Sequence, residues 1–229
     1  MEVSLVSMTQ IDKNYLEKLM KEVDNPDFIK NVQGPEGLMA YVARVSSPNP
    51  TNKNYSKLLN YCAKQQHWSV FEMADACFEI KTSLSIAAQI LRHRSFCFQQ
   101  YSLRYSKANM EFEVYEARSQ DEKNRQNSID NMSEEDKQWF RESQQKVAQV
   151  SFNKYSEALD RGIAKEQARF LLPSNTLTKL HMKGSIRSWI HYINLRQSNG
   201  TQKEHADIAI AIKKILKEKL PIVAESMNW

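Results

Sequence analysis

Arg92-His93-Arg94 is the densest group of chemistry-bearing residues in this chain, and Gln99-Gln100-Tyr101-Ser102-Leu103-Arg104 follows it closely. On a helix, Gln89, Arg92 and His93 lie three and four apart and share a face. Beyond that helix, Gln100, Ser102 and Arg104 are spaced by two, so an extended segment would put them on one side. Guanidinium forks suit phosphate and carboxylate, while Gln and Ser can read the polar edge of a base. A solvated basic turn accounts for the same residues, and spacing alone leaves both readings open. Arg169, beside the apolar run Phe170-Leu171-Leu172-Pro173, needs an anion if its head is buried and none if it snorkels. Arg187, His191 and Asn194 stand at i, i+4 and i+7, with Arg196 just past them. They form either a polar helix face or the wall of a site.

Other chemistries find little support. The five histidines show no HExxH or similar ligand spacing, which speaks against a metal site. Only five glycines occur, with neither a GxGxxG nor a Walker loop, so any dinucleotide must be held by side chains. Serine and cysteine nucleophiles have no partner that the sequence reveals. Cys62, Cys77 and Cys97 are scattered and odd in number, which argues for a reducing compartment and against a disulfide framework. No apolar run reaches the length of a membrane span, and Met1 to Leu5 lack the regions of a secretory signal, so a cytoplasmic location is expected. A net charge of +5 fits an anionic ligand, nucleic acid or phosphorylated small molecule, without choosing between them.

The elements that must position these residues follow from periodicity. Strands are predicted at residues 3–9, 73–81, 112–117 and 176–182, the second with Ala74, Ala76, Phe78 and Ile80 on one face. Helices are predicted at 12–22, 37–46, 55–66 and 84–93, the last capped by Ser83. Ser133 and Asp136 form a capping box for a long helix to about residue 159. Further helices are expected at 164–172, ended by Pro173, at 184–195 from Gly184, and at 202–220 after a Ser198-Asn199-Gly200 turn. The polar segment 118–130 reads as an exposed loop. Strands and helices mix without regular alternation, which implies one α+β domain over residues 1–229.

Arg92-His93-Arg94, seven residues, then Ser102 resembles the RHR-x7-S signature of flavin-dependent thymidylate synthases. Gln89 before it and Arg104 after it extend the match. His67-Trp68-Ser69-Val70-Phe71-Glu72 is similar to the family's His-x-Ser/Thr-x-Phe-Glu segment, and Ala43-Arg44-Val45-Ser46 to its first helix end. Ala168-Arg169-x-x-Leu172-Pro173 and Asn194-Leu195-Arg196 follow in the family's order, so the likeness covers about residues 35–220.

The resemblance implies a single α+β domain with a mixed or antiparallel sheet flanked by helices. It implies FAD held by Ser69, Arg92, His93, Arg94, Gln100, Ser185, Ile186, Arg187 and His191. It implies dUMP bound by Gln89, Ile90, Leu91, Arg92, Gln100, Tyr101, Ser102, Leu103, Arg104, Arg169 and Arg196. Arg92 would then lie between both ligands, and Arg196 would be catalytic, stabilising uracil ionised at N3. Family members are homotetramers with sites built from several subunits. In them NADPH reduces FAD, methylenetetrahydrofolate supplies the carbon, and no protein nucleophile is needed. This chain departs from the pattern at Gln100, commonly Glu, at His191, commonly Asn, and at Gly200, where an ungapped alignment puts His. Segment 118–130 carries no role in the resemblance. A rival from another class is a nucleic-acid-binding module that uses Arg92, Arg94 and Arg104 for phosphates and Phe96, Phe98 and Tyr101 for stacking. A family member that binds flavin or nucleotide without catalysis is the third reading.

Overall fold

A computed structural model describes residues 1–198 and 200–229. In chain order it contains β1 (Glu2–Met8), α1 (Lys13–Glu22), α2 (Pro26–Val32), α3 (Pro35–Ala43), α4 (Tyr55–Lys64) and, after a 3₁₀ turn at Trp68–Glu72, β2 (Asp75–Ser83). Next come α5 (Leu84–Ile90), β3 (Cys97–Gln100), the two-residue strands β4 (Ser119–Gln120) and β5 (Ser128–Ile129), and the long α6 (Glu134–Asp160). The chain ends through α7 (Lys165–Ala168), β6 (Leu177–Ser185), α8 (Ile186–Arg196), α9 (Lys203–Lys219) and α10 (Pro221–Ser226).

The four-stranded sheet has the order β1-β2-β6-β3, and all three pairings are antiparallel. Alternation decides which face is covered. Ala76, Phe78 and Ile80 of β2 and Leu180 and Met182 of β6 are buried, while Glu79, Lys179 and Lys183 point the other way and pair their charges in the open. Onto the apolar face pack α3, α4, α5, α8, α9 and α10 in one cluster. Ile190 and Ile193 of α8 are 2% and 0% exposed, burial worth about 1.5–3 kcal/mol for each such side chain. Trp189 is fully buried and places its indole N–H 3.0 Å from the Ala76 carbonyl, which satisfies the one polar atom it takes into the core. Gly184 of β6 has no room for a side chain: a Cβ there would lie 2.5 Å from the Phe96 ring.

The predicted elements hold where one face is clearly apolar and shift where local hydrogen bonding intervenes. The helix predicted at 84–93 ends at Ile90, and the one predicted to start at Gly184 starts after Ser185, because β6 runs on and Ser185 caps α8 by accepting the Ser188 N–H. Residues 112–117 form no strand beyond one bridge, Phe112 to Thr176. There the backbone groups of Tyr115 are taken by the Gln144 amide, and the Glu113 carbonyl by Asn175. The 164–172 helix is only α7 plus a 3₁₀ turn at Arg169–Leu171. Segment 118–130 is an ordered hairpin, β4 with β5, whose tip is organised by Asp121 accepting the N–H groups of Lys123 and Asn124. The turn read at Ser198-Asn199-Gly200 lies partly outside the described residues; Gly200 has φ +97°. No helix among the described residues is long and apolar enough to cross a membrane.

Candidate active site

The Arg92-His93-Arg94 segment is a tight turn between α5 and β3. Ser83 caps α5 through the Ile86 N–H, and the helix closes with Arg92 N–H on the Gln89 carbonyl and His93 N–H on that of Ile90. The 3₁₀-type tightening throws Arg92 and Arg94 outward and turns His93 inward. The His93 ring meets Tyr192 at 4.9 Å, His205 at 6.0 Å and Phe96 at 6.4 Å between centroids, each edge to face. Arg196, at the end of α8, donates from Nε to His93 Nε2 at 2.9 Å. An imidazole nitrogen that accepts carries no proton, so His93 is neutral with its hydrogen on Nδ1. Burial, then the charges of Arg196 and His191, push its pKa down to about 4. Burial, with Arg196 and His93 behind it, takes His205 to about 3. Arginine salt bridges among the described residues belong to Arg104, Arg118, Arg141, Arg161 and Arg187. Arg92, Arg94 and Arg196 take part in none.

On the other side of α8, Arg187 reaches Glu72 at 2.6 Å and the Ser188 hydroxyl reaches the Ser95 carbonyl at 3.2 Å. A cleft of about 500 Å³ lies between them, lined by Trp68, Glu72, Ser95, Arg187, Ser188, Ile190, His191 and Asn194. Ser69 is exposed on the adjoining 3₁₀ turn, Ser185 is spent as a helix cap, and the Ile186 side chain is wholly in the core.

The remaining candidates gather elsewhere. Ser102 and Arg104 follow β3 and line a second cleft with Tyr105, Ala164, Lys165 and Glu166. Arg104 donates to the Glu166 carboxylate at 2.9 Å, and Arg169 donates to the Glu166 carbonyl at 3.1 Å. Gln100 turns back to the Thr178 hydroxyl at 3.4 Å, and the Tyr101 hydroxyl donates to the Lys107 carbonyl at 2.7 Å. Ile90 and Leu103 are buried and offer no side chain to a ligand, whereas Leu91 is exposed. The first cleft and this one share no residue, and β3, roughly 13 Å of extended chain, runs between their parts of the sequence. One chain therefore assembles Gln89, His93 and Arg196 at one end and Ser102, Arg104 and Arg169 at the other. The stacking platform of the nucleic-acid rival is not assembled, since Phe96 is buried against Trp189.

Sequence reasoning missed Gln202 and His205, which hydrogen-bond Gln89, and Glu204 and Tyr192, which hydrogen-bond those two in turn. His205 hydrogen-bonds Gln89 Oε1 at 3.3 Å and the Tyr192 hydroxyl at 3.1 Å. One signal was present: His205 shares the stripe of Ile208, Ala209, Ile212 and Leu216, a polar residue at a core position of an amphipathic helix. At Gly200 the Asn124 amide of the hairpin comes within 3.6 Å of where a side chain would begin.

The family profile described as thymidylate synthase complementing protein matches residues 27–222. A flavin-dependent thymidylate synthase of Synechocystis sp. is 57% identical over 195 residues, 85% of this chain and 90% of that protein. The chain belongs to the flavin-dependent thymidylate synthase family. A probable flavin-dependent thymidylate synthase of Paramecium bursaria Chlorella virus 1 is 49% identical over 203 residues, 88% of this chain and 94% of that one. The same fold is seen in the UMP/dUMP methylase PolB from Streptomyces cacaoi, crystallised with 5-Br dUMP. That structure aligns with a TM-score of 0.79 at 22% identity over 99% of this chain and 94% of the other.

Membership in the flavin-dependent thymidylate synthase family directs attention to how these residues fit a flavin. The first cleft offers an indole, an apolar Ile190, hydroxyls, an amide and an imidazole, a mixture that matches a flat ring with polar edges. A pyrophosphate needs cations in place of a glycine-rich loop. Arg92 and Arg94 stand free of carboxylates beside the cleft's Ser95, and Arg187 is shared with Glu72. The residues present fit FAD in part: the mixed lining suits the ring and Arg92 and Arg94 suit the phosphates, while Arg187 is shared with Glu72.

Proposed function

We propose that this chain catalyses the reductive methylation of dUMP to dTMP, with methylenetetrahydrofolate as carbon donor and NADPH as reductant, in de novo dTTP synthesis in the cytoplasm. It is a methyltransferase that works with FAD, in keeping with its family. The observation that carries the reading is Arg196, a part-buried guanidinium with no carboxylate partner among the described residues, held from behind by a neutral imidazole. That arrangement leaves a cation for a ligand that carries or develops negative charge.

Roles follow on the two clefts. Ser69, Arg92, His93, Arg94, Arg187 and His191 hold FAD, while Ser185 and the buried Ile186 shape the start of α8 behind them. FAD supplies the reducing electrons when bound. Arg104 and Arg169 meet the dUMP phosphate, Ser102 and Gln100 hydrogen-bond the nucleotide, and Gln89 contacts it beside Arg196. Arg196 stabilises the uracil ring as its N3 gives up a proton. Gln100 makes its hydrogen bond to the nucleotide without the charge of a glutamate. Because the two groups sit apart on one chain, a homotetramer in which neighbouring subunits complete each site is part of the proposal. The test is release of tritium from [5-³H]dUMP by the purified yellow protein with methylenetetrahydrofolate and NADPH. Turnover dependent on all three supports the reading, and a flavin-loaded protein that releases none refutes it.

A further inference from the structure

Arg118 opens the polar hairpin segment to which the family resemblance gives no role, yet its side chain is 13% exposed and that of its partner Glu204 14%. The two form a fork, with Arg118 Nη1 2.7 Å from Glu204 Oε1 and Nη2 2.9 Å from Oε2. Burial alone favours a neutral carboxyl at Glu204, but the bonds from Arg118, the backbone and Gln202 together bring its pKa below the ordinary value.

From Glu204 a line of hydrogen bonds leads to the candidate site. An ionised carboxylate only accepts, so Gln202 turns its Nε2 to Glu204, at 2.9 Å. The Gln202 oxygen is then left to accept from Gln89 Nε2, at 2.6 Å. Gln89 Oε1 consequently faces His205 Nδ1 at 3.3 Å, and since that oxygen cannot donate, the nitrogen carries the proton. His205 Nε2 in turn accepts from the Tyr192 hydroxyl at 3.1 Å, and the Tyr192 ring packs on His93, the partner of Arg196. Each link has one allowed direction once Glu204 is charged. A protonated carboxyl or an amide at that position could donate to Gln202 instead, and every link could invert.

We propose that Arg118 is a positioning residue for the nucleotide site: by holding Glu204 as an acceptor, it fixes the polarity of the relay Glu204–Gln202–Gln89–His205–Tyr192 and sets the Gln89 amide in one of its two orientations. The relay stands on geometry alone; only the consequence for dUMP rests on the role proposed for Gln89. The experiment reads the His205 tautomer by nitrogen-15 NMR of the intact holoenzyme with labelled histidine, assigned by the signal lost in His205→Asn, alongside dUMP kinetics. In the unmodified protein His205 carries its proton on Nδ1. Glu204→Gln and Arg118→Met each bring up the Nε2–H form and raise the KM for dUMP about two- to tenfold, the scale of one misplaced neutral hydrogen bond, with FAD content unchanged. Arg118→Lys restores the Nδ1–H form. An Nε2–H ring in the unmodified protein, or a tautomer unmoved in both variants, overturns the relay. An inverted tautomer with unchanged KM overturns the positioning role. Should the protein turn over no dUMP, the functional reading fails while the tautomer still decides the relay.

Discussion

At the scale of single residues, the chemistry divides between charge and hydrogen bonding. In the role proposed for it, Arg196 meets charge that grows as the reaction proceeds and would contribute more to the transition state than to binding. Arg196→Ala should therefore lose about two or more decades of turnover, the scale of removing one such donor, while the flavin absorbance of the purified protein stays near normal. Near-normal tritium release in that variant would sink the assignment. Ser102 is a different case. A serine nucleophile needs a base within hydrogen-bond reach, and the carboxylate lining its cleft, Glu166, is already engaged by Arg104. Ser102→Ala should keep measurable turnover and weaken dUMP by about two- to tenfold, as expected for one neutral hydrogen bond. Complete inactivity with unaltered dUMP affinity and full FAD would point to a nucleophile instead. His93 stays neutral far below pH 7, its pKa near 4, so the Arg196–His93 contact keeps one form throughout the neutral range.

At the scale of elements, one buried carboxyl gives the fold a measurable pH dependence. Glu36 of α3 is 5% exposed and accepts the Val223 N–H at 2.8 Å, capping the first turn of α10. Burial raises its pKa from 4.5 to about 7 against the lowering effect of those backbone bonds. The folded state thus holds the proton more tightly than the unfolded one. Its stabilising contribution is complete below about pH 4.5 and is lost as pH rises through 7, roughly 3 kcal/mol at most. Glu36→Gln should flatten that slope. Denaturation midpoints measured across this window in both proteins check it, and parallel slopes would refute it. The elements legible in the sequence were those with strong local signals: β2, with its alternating apolar face, α6, with its Ser133 cap, and α9, with its apolar stripe. Less legible were α2 and α10, short helices started by Pro26 and Pro221 that fold because they pack. Of the site, the Arg92-His93-Arg94 turn, Ser102 and Arg196 could be named from spacing and resemblance. The Glu204-to-Tyr192 relay could not, because it is made by contacts across as many as 116 residues of sequence, and glutamines carry no distinctive pattern.

At the scale of the whole molecule, the sheet and its helices hold the Arg196 group and the Ser102–Arg104 group at separate places on one chain. We expect a homotetramer that retains FAD, to be checked by light scattering with simultaneous absorbance. A monomer that keeps its flavin would remove the reason for shared sites. The separation of these two groups also bears on how defects combine. A chain damaged at Arg104 keeps its Arg196 end, and a chain damaged at Arg196 keeps its Arg104 end. If sites are shared between subunits as proposed, each variant alone would build only broken ones. When the two are mixed and reassembled, random partnering gives roughly a quarter of two-subunit sites both intact halves. Two nearly dead preparations should thus yield a live one, as two recessive alleles complement within a single gene. Arg104→Ala paired with Arg169→Ala should recover nothing, since both lesions fall on the same half.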